Sequence, residues 1–144
     1  MISVKEIIQL NAGRELDILV SEQLMGWQIE TDESKLKGLK GFLSRDVEHK
    51  WWRTPEGAWH CDPPSYSSDI NAAWRVVEMM KNKGQVLFLS QSSGESRVAF
   101  DEARTTSPNY ITERSTTEGI CKAALIAIRT GRITQPLVLP AALA

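Results

Sequence analysis

Cysteine and histidine are scarce in this chain, which has only Cys61, Cys121, His49 and His60. Two cysteines without a paired spacing build no disulfide framework and read as reduced thiols of a cytoplasmic protein. His60, Cys61 and Asp62 are consecutive. On a strand such neighbours point to opposite faces, so they do not converge on one tetrahedral metal. No apolar run approaches the roughly 20 residues a membrane span needs. Residues Met1–Ile8 have none of the layout of a secretory signal. No Gly-rich phosphate loop of the P-loop or dinucleotide type occurs, and no serine sits in a nucleophile elbow. Cys121 falls within an apolar helical face, the place of a structural thiol. The net charge of −1 argues against strong nucleic-acid binding through a global field, although it leaves room for a local basic patch. These absences point away from an enzyme and imply no metal and no cofactor.

What is present is an ordinary globular composition with an excess of tryptophan. There are five, and Trp51, Trp52 and Trp59 crowd one stretch. The expected fold is a single α+β domain over 1–144, a small antiparallel sheet packed with three main helices. Ser3 with Glu6 makes a capping box, and Ile2 with Ile7 a hydrophobic staple. A helix from Ala12 to about Met25 would bury Leu16, Leu19, Val20 and Leu24, with Gly26 ending it. Residues 31–50 read as a charged excursion weakened by glycine. Residues 51–61 read as a hairpin turning on Pro55-Glu56-Gly57. A helix from Ser67 to Lys83, capped by Ser67 or Ser68, would place Ile70, Ala73, Trp74 and Val77 on its core face. Residues 85–90 read as a buried strand paired with 97–100 across Ser92-Ser93-Gly94. Residues 101–114 read as a loop. Ser115 with Glu118 opens a closing helix that buries Ile120, Cys121, Ala124, Leu125 and Ile128. The apolar tail over 133–144 is proline-bounded, and reads as an edge strand, a strap or a subunit contact.

Binding chemistry is easier to place than catalysis. Ser65, Tyr66, Ser67 and Ser68 precede a helix, where N–H and O–H donors receive a phosphate. Tyr66 and Trp52 offer flat faces for a base. Arg53, Arg75, Arg97 and Arg104 offer bidentate phosphate contacts, and Thr105 and Thr106 add hydroxyls. Arg14, at the start of another helix, marks a second anion site. Each cluster also has a plain structural reading: a cap motif for the serines, core packing for the tryptophans, ion pairing for Arg14.

Three blocks carry a family likeness. They are Ala12–Asp17 with Val20 and Met25-Gly26-Trp27; Pro64–Ile70 with Ala72-Ala73-Trp74 and Val76-Val77-Glu78; and Gly119–Leu125. In this order they resemble the phage ABA sandwich domain family. The resemblance implies a small helix-and-sheet sandwich encoded by phages or prophages and working in the host cytoplasm, with no enzymatic activity to transfer. The first expectation is therefore an accessory protein that binds a small phosphorylated, nucleotide-like ligand, an immune signal of the host, and sequesters it as a homo-oligomer. The second is an interaction module gripping a host or phage protein through Trp51, Trp52 and the charged excursion. A metal-dependent nuclease or phosphodiesterase comes third.

Overall fold

The fold is taken from a computed structural model that describes residues 2–32, 34–36 and 50–131. Most of the 31–50 excursion and all of the 133–144 tail lie outside the described residues. Helix α1 (Val4–Gln9) opens with the capping box in full: Glu6 N–H donates to Ser3 Oγ at 3.2 Å, and Ser3 N–H to Glu6 Oε1 at 3.1 Å. Helix α2 (Arg14–Leu19) then widens into a π turn, Val20–Leu24. The reason lies in the spacing. Leu16, Val20 and Leu24 recur every four residues, which drifts off one face of a 3.6-residue helix. A wider π turn removes the drift, and the three residues are 0%, 0% and 5% exposed. Gly26, at φ +77°, turns the chain out of the helix.

Three two-residue strands form the first sheet, in the order β1 (Gln28–Ile29), β2 (Trp52–Arg53), β3 (Trp59–His60), all antiparallel. The β2–β3 hairpin turns where the sequence places it. Gly57 N–H donates to the Thr54 carbonyl, and Thr54 N–H to that of Ala58, both at 2.9 Å. Residues 66–68 form a turn, and helix α3 runs Ile70–Asn82. This corrects the expected start. The cap is Asp69, whose Oδ1 accepts from Asn71 N–H at 2.9 Å, and not Ser67 or Ser68. The core face keeps Ala73 and Val77 of the expected set and loses Ile70 and Trp74. Ala72, Ala73, Val76, Val77 and Met80 are buried, whereas Ile70 and Trp74 are about half exposed.

The second sheet has the order β4 (Val86–Ser92), β5 (Glu95–Asp101), β6 (Ile111–Glu113). Ser93 (φ +29°) and Gly94 (φ +78°) make the two-residue turn between β4 and β5. Two further expectations change here. Strand β4 lies at an edge and is half exposed rather than buried, because α4 packs over the central strand, β5. The segment read wholly as loop contains β6, which pairs Ile111 with Val98.

Helix α4 (Thr116–Arg129) is the axis of the molecule: all nine residues from Gly119 to Ala127 are buried. Only half of its capping box forms, with Ser115 Oγ accepting from Glu118 N–H at 3.4 Å. The Glu118 carboxylate is engaged instead with Lys122, 2.8 Å away. Lys122 is 1% exposed. Its ammonium also donates to Glu113 Oε1 at 3.0 Å and to the Ile8 carbonyl at 2.8 Å, so each of its three protons has an acceptor.

Candidate functional site

Between the β2–β3 hairpin and α3 lies a cleft of about 450 Å³. Its walls are Trp27 and His60 on one side, Arg75 and Met79 of α3 on the other, with Tyr66 contributing from the turn and Glu56 from the hairpin tip. Trp27 and His60 stack, ring centroids 5.0 Å apart and planes 15° off parallel. Arg75 and Met79 are four residues apart on a helix and so share one face, beside the buried face rather than on it. Tyr66 is 3% exposed and belongs to the core cluster as well as to the cleft. Burial raises its phenol above the ordinary range, and the hydroxyl, which meets the buried Ser21 side chain, stays protonated.

The arginines differ in what is left for a ligand. Arg14 pairs with Asp62, donates to the Cys61 carbonyl at 3.2 Å, and lies over the Trp52 ring. Arg53 pairs with Glu30 at 3.3 Å and stacks on Trp59. Arg97 stacks on Tyr110 at 4.5 Å. Arg75, by contrast, makes no ion pair or hydrogen bond among the described residues, and it faces the cleft.

The expected site residues therefore do not form one cluster. Tyr66 lines the cleft. Ser65 and Ser68 are exposed on the adjoining turn. Ser67 is 1% exposed and fully occupied. Its N–H donates to Asp17 Oδ1 (2.8 Å), its Oγ accepts from Gly13 N–H (2.9 Å), and its carbonyl accepts from Thr117 Oγ1 (2.8 Å). One residue thus ties the starts of α2 and α4 to the loop before α3. Trp52 is 1% exposed and donates Nε1–H to Glu22 at 2.8 Å. Arg14 and Arg53 are committed as described, and Arg104, Thr105 and Thr106 sit in the loop after β5, lining no part of this cleft. Trp27 and His60 line the cleft without being among the expected site residues. Their stacking joins β3 to a residue ahead of β1, and nothing in local spacing announces it.

Ser67→Ala is expected to lower unfolding free energy by about 1–2 kcal/mol, since Gly13 N–H loses its acceptor. Ser68→Ala should stay within about 0.5 kcal/mol. Paired urea titrations measure both.

The sequence model of the phage ABA sandwich domain matches residues 18–125. The chain belongs to that family. No curated protein and no solved structure matches it. The matched part of the phage ABA sandwich domain runs from Ile18 in α2 to Leu125 in α4, so Trp27, the hairpin, Tyr66 and Arg75 all lie within it. Among the described residues no helix is long and apolar enough to cross a membrane, and no three of the His, Cys, Asp and Glu side chains gather in a way that would hold a metal. Cys121 is fully buried, and burial pushes its thiol far up, so it stays protonated.

Proposed function

We propose that this phage ABA sandwich protein binds a small nucleotide-like ligand in the cleft between the β2–β3 hairpin and α3, and holds it intact, sequestering a signal of the infected host. The observation that carries the reading is the Arg75 guanidinium, without an ion pair or hydrogen bond among the described residues, in the same cleft as the stacked Trp27–His60 pair. A phosphate would take the guanidinium in bidentate fashion. A base would extend the aromatic stack, and Glu56 would accept from an exocyclic amine or a ribose hydroxyl. A volume of about 450 Å³ is in the range of small-molecule sites.

Calorimetry and thermal melts against a panel of mononucleotides and cyclic nucleotides test this. A binder should raise the melting temperature and be returned unaltered after the protein is denatured. Arg75→Ala should weaken it by at least about tenfold, the value of one charge-assisted contact, while leaving the melting temperature of the free protein unchanged. A cleaved product would move the protein to the phosphodiesterase class.

One observation favours the second reading, an interaction module. Trp51 and Trp52 are buried and cannot serve it, but Ile70 and Trp74 lie four residues apart on α3, each about half exposed. Binding of a protein partner that is lost in Trp74→Ala and kept in Arg75→Ala would support it over the ligand reading.

A further inference from the structure

The two edges of the second sheet are unlike. The β6 edge is three residues long and ends in Glu113, a carboxylate held by Lys122. The β4 edge is seven residues long, pairs with β5 in unbroken register with no bulge, and Val86–Ser92 contains no charge and no proline. Sheet edges left open to water are guarded by charge, proline, bulges or shortness, because their free N–H and C=O groups recruit another strand. Strand β4 has none of these guards, and no strand pairs with its outer side among the described residues.

We infer that β4 pairs with β4 of a second copy of this chain, joining two three-stranded sheets into one of six. Symmetry fixes the register. A two-fold axis normal to an antiparallel pair sets one residue opposite itself, and pairing all seven residues puts that residue at the middle of the strand, Leu89. Leu89 is also the one strongly exposed large apolar residue of the second sheet, at 44%. It lies opposite Val98 in the β4–β5 register, on the face that carries α4. Pairing would bury Leu89 against the second copy's Leu89 and continue the α4 face across the dimer. The charges at the two ends of the edge are complementary under the same operation. Lys83, the cap residue ahead of β4, runs toward the hairpin tip of the second copy, which carries Glu95. Neither Lys83 nor Glu95 has an ion-pair partner among the described residues. The contact arises twice by symmetry. This inference is independent of the cleft.

Sedimentation of the full chain and disulfide trapping test it. The wild type should sediment at twice 16.1 kDa. Leu89→Lys, which sets two ammonium groups face to face, should sediment as a monomer with an unchanged circular dichroism spectrum. In a Cys61→Ser background, Leu89→Cys should form a covalent dimer on mild oxidation, and Val86→Cys, displaced from its own copy by the register, should not. The trapping arm stands even if Leu89→Lys fails to fold. A wild-type monomer, a dimer that survives Leu89→Lys, or equal trapping at positions 86 and 89 would each overturn the inference.

Discussion

Lys122→Met is expected to destabilise the fold by about 3–5 kcal/mol, the range found when one member of a buried ion pair is removed. Methionine keeps most of the volume, so the loss is electrostatic. It leaves the Glu113 and Glu118 carboxylates and the Ile8 carbonyl facing an apolar side chain at a buried point of α4. Adding Glu113→Gln and Glu118→Gln should recover part of that loss by removing the stranded charges, and urea titrations of the single and triple variants measure the difference. The same cluster predicts a pH dependence. Burial works to lower the lysine pKa, but the hydrogen bonds to Glu118 and Glu113 outweigh it and hold the ammonium above the ordinary value of 10.5. A basic group raised on folding contributes its full stability below the unfolded value, and loses it as pH rises through the folded value. Wild-type stability should therefore fall above pH 10.5 more steeply than that of Lys122→Met. Tyr66, also raised, is present in both proteins and cancels in the comparison.

Gly119→Ala should be the second large effect, and its sign opposes helix propensity. Alanine in a helix interior is ordinarily favoured over glycine by about 1 kcal/mol. Here an added Cβ would lie 2.7 Å from Val98 Cγ2 and 3.4 Å from Val98 Cβ, the side chain of the central strand. Val98 is fully buried and has nowhere to move, so α4 must lift from β5. The expected cost is about 1–3 kcal/mol, the usual penalty of overpacking. Because the clash belongs to one pair, Gly119→Ala with Val98→Ala should be less destabilised than the sum of the single variants. A double-mutant cycle in urea isolates that coupling.

Features written in local chemistry were legible in the chain. The Ser3–Glu6 box, the Pro55–Gly57 turn and the β4–β5 hairpin need only residues near in sequence, and the structure has all three. What stayed hidden depended on residues far apart. The core face of α3 is legible only in part: Ala73 and Val77 lie on it as expected, but Ile70 and Trp74 turn to solvent because the helix packs through Ala72, Val76 and Met80, a choice made by its distant neighbours. The ion cluster of Lys122 has no local signal beyond Glu118, because Glu113 from β6 and the Ile8 carbonyl of α1 reach it only in the fold. Ser67 reads as a phosphate donor until Gly13, Asp17 and Thr117 are seen to occupy it. In the candidate site, Tyr66 and Arg75 were visible as residue types, but Trp27 and His60 met only through tertiary packing.

The threefold engagement of Ser67 also bears on which wall of the cleft gives way. The loop carrying Pro64 and Tyr66 cannot lift without releasing the beginnings of α2 and α4 together, so those segments should exchange their amide protons with deuterium as one slow cooperative unit. The opposite wall, Thr54–Ala58, is a hairpin tip held by two-residue strands. Opening of the cleft is expected at that tip, whose amides should exchange faster than those of the other wall.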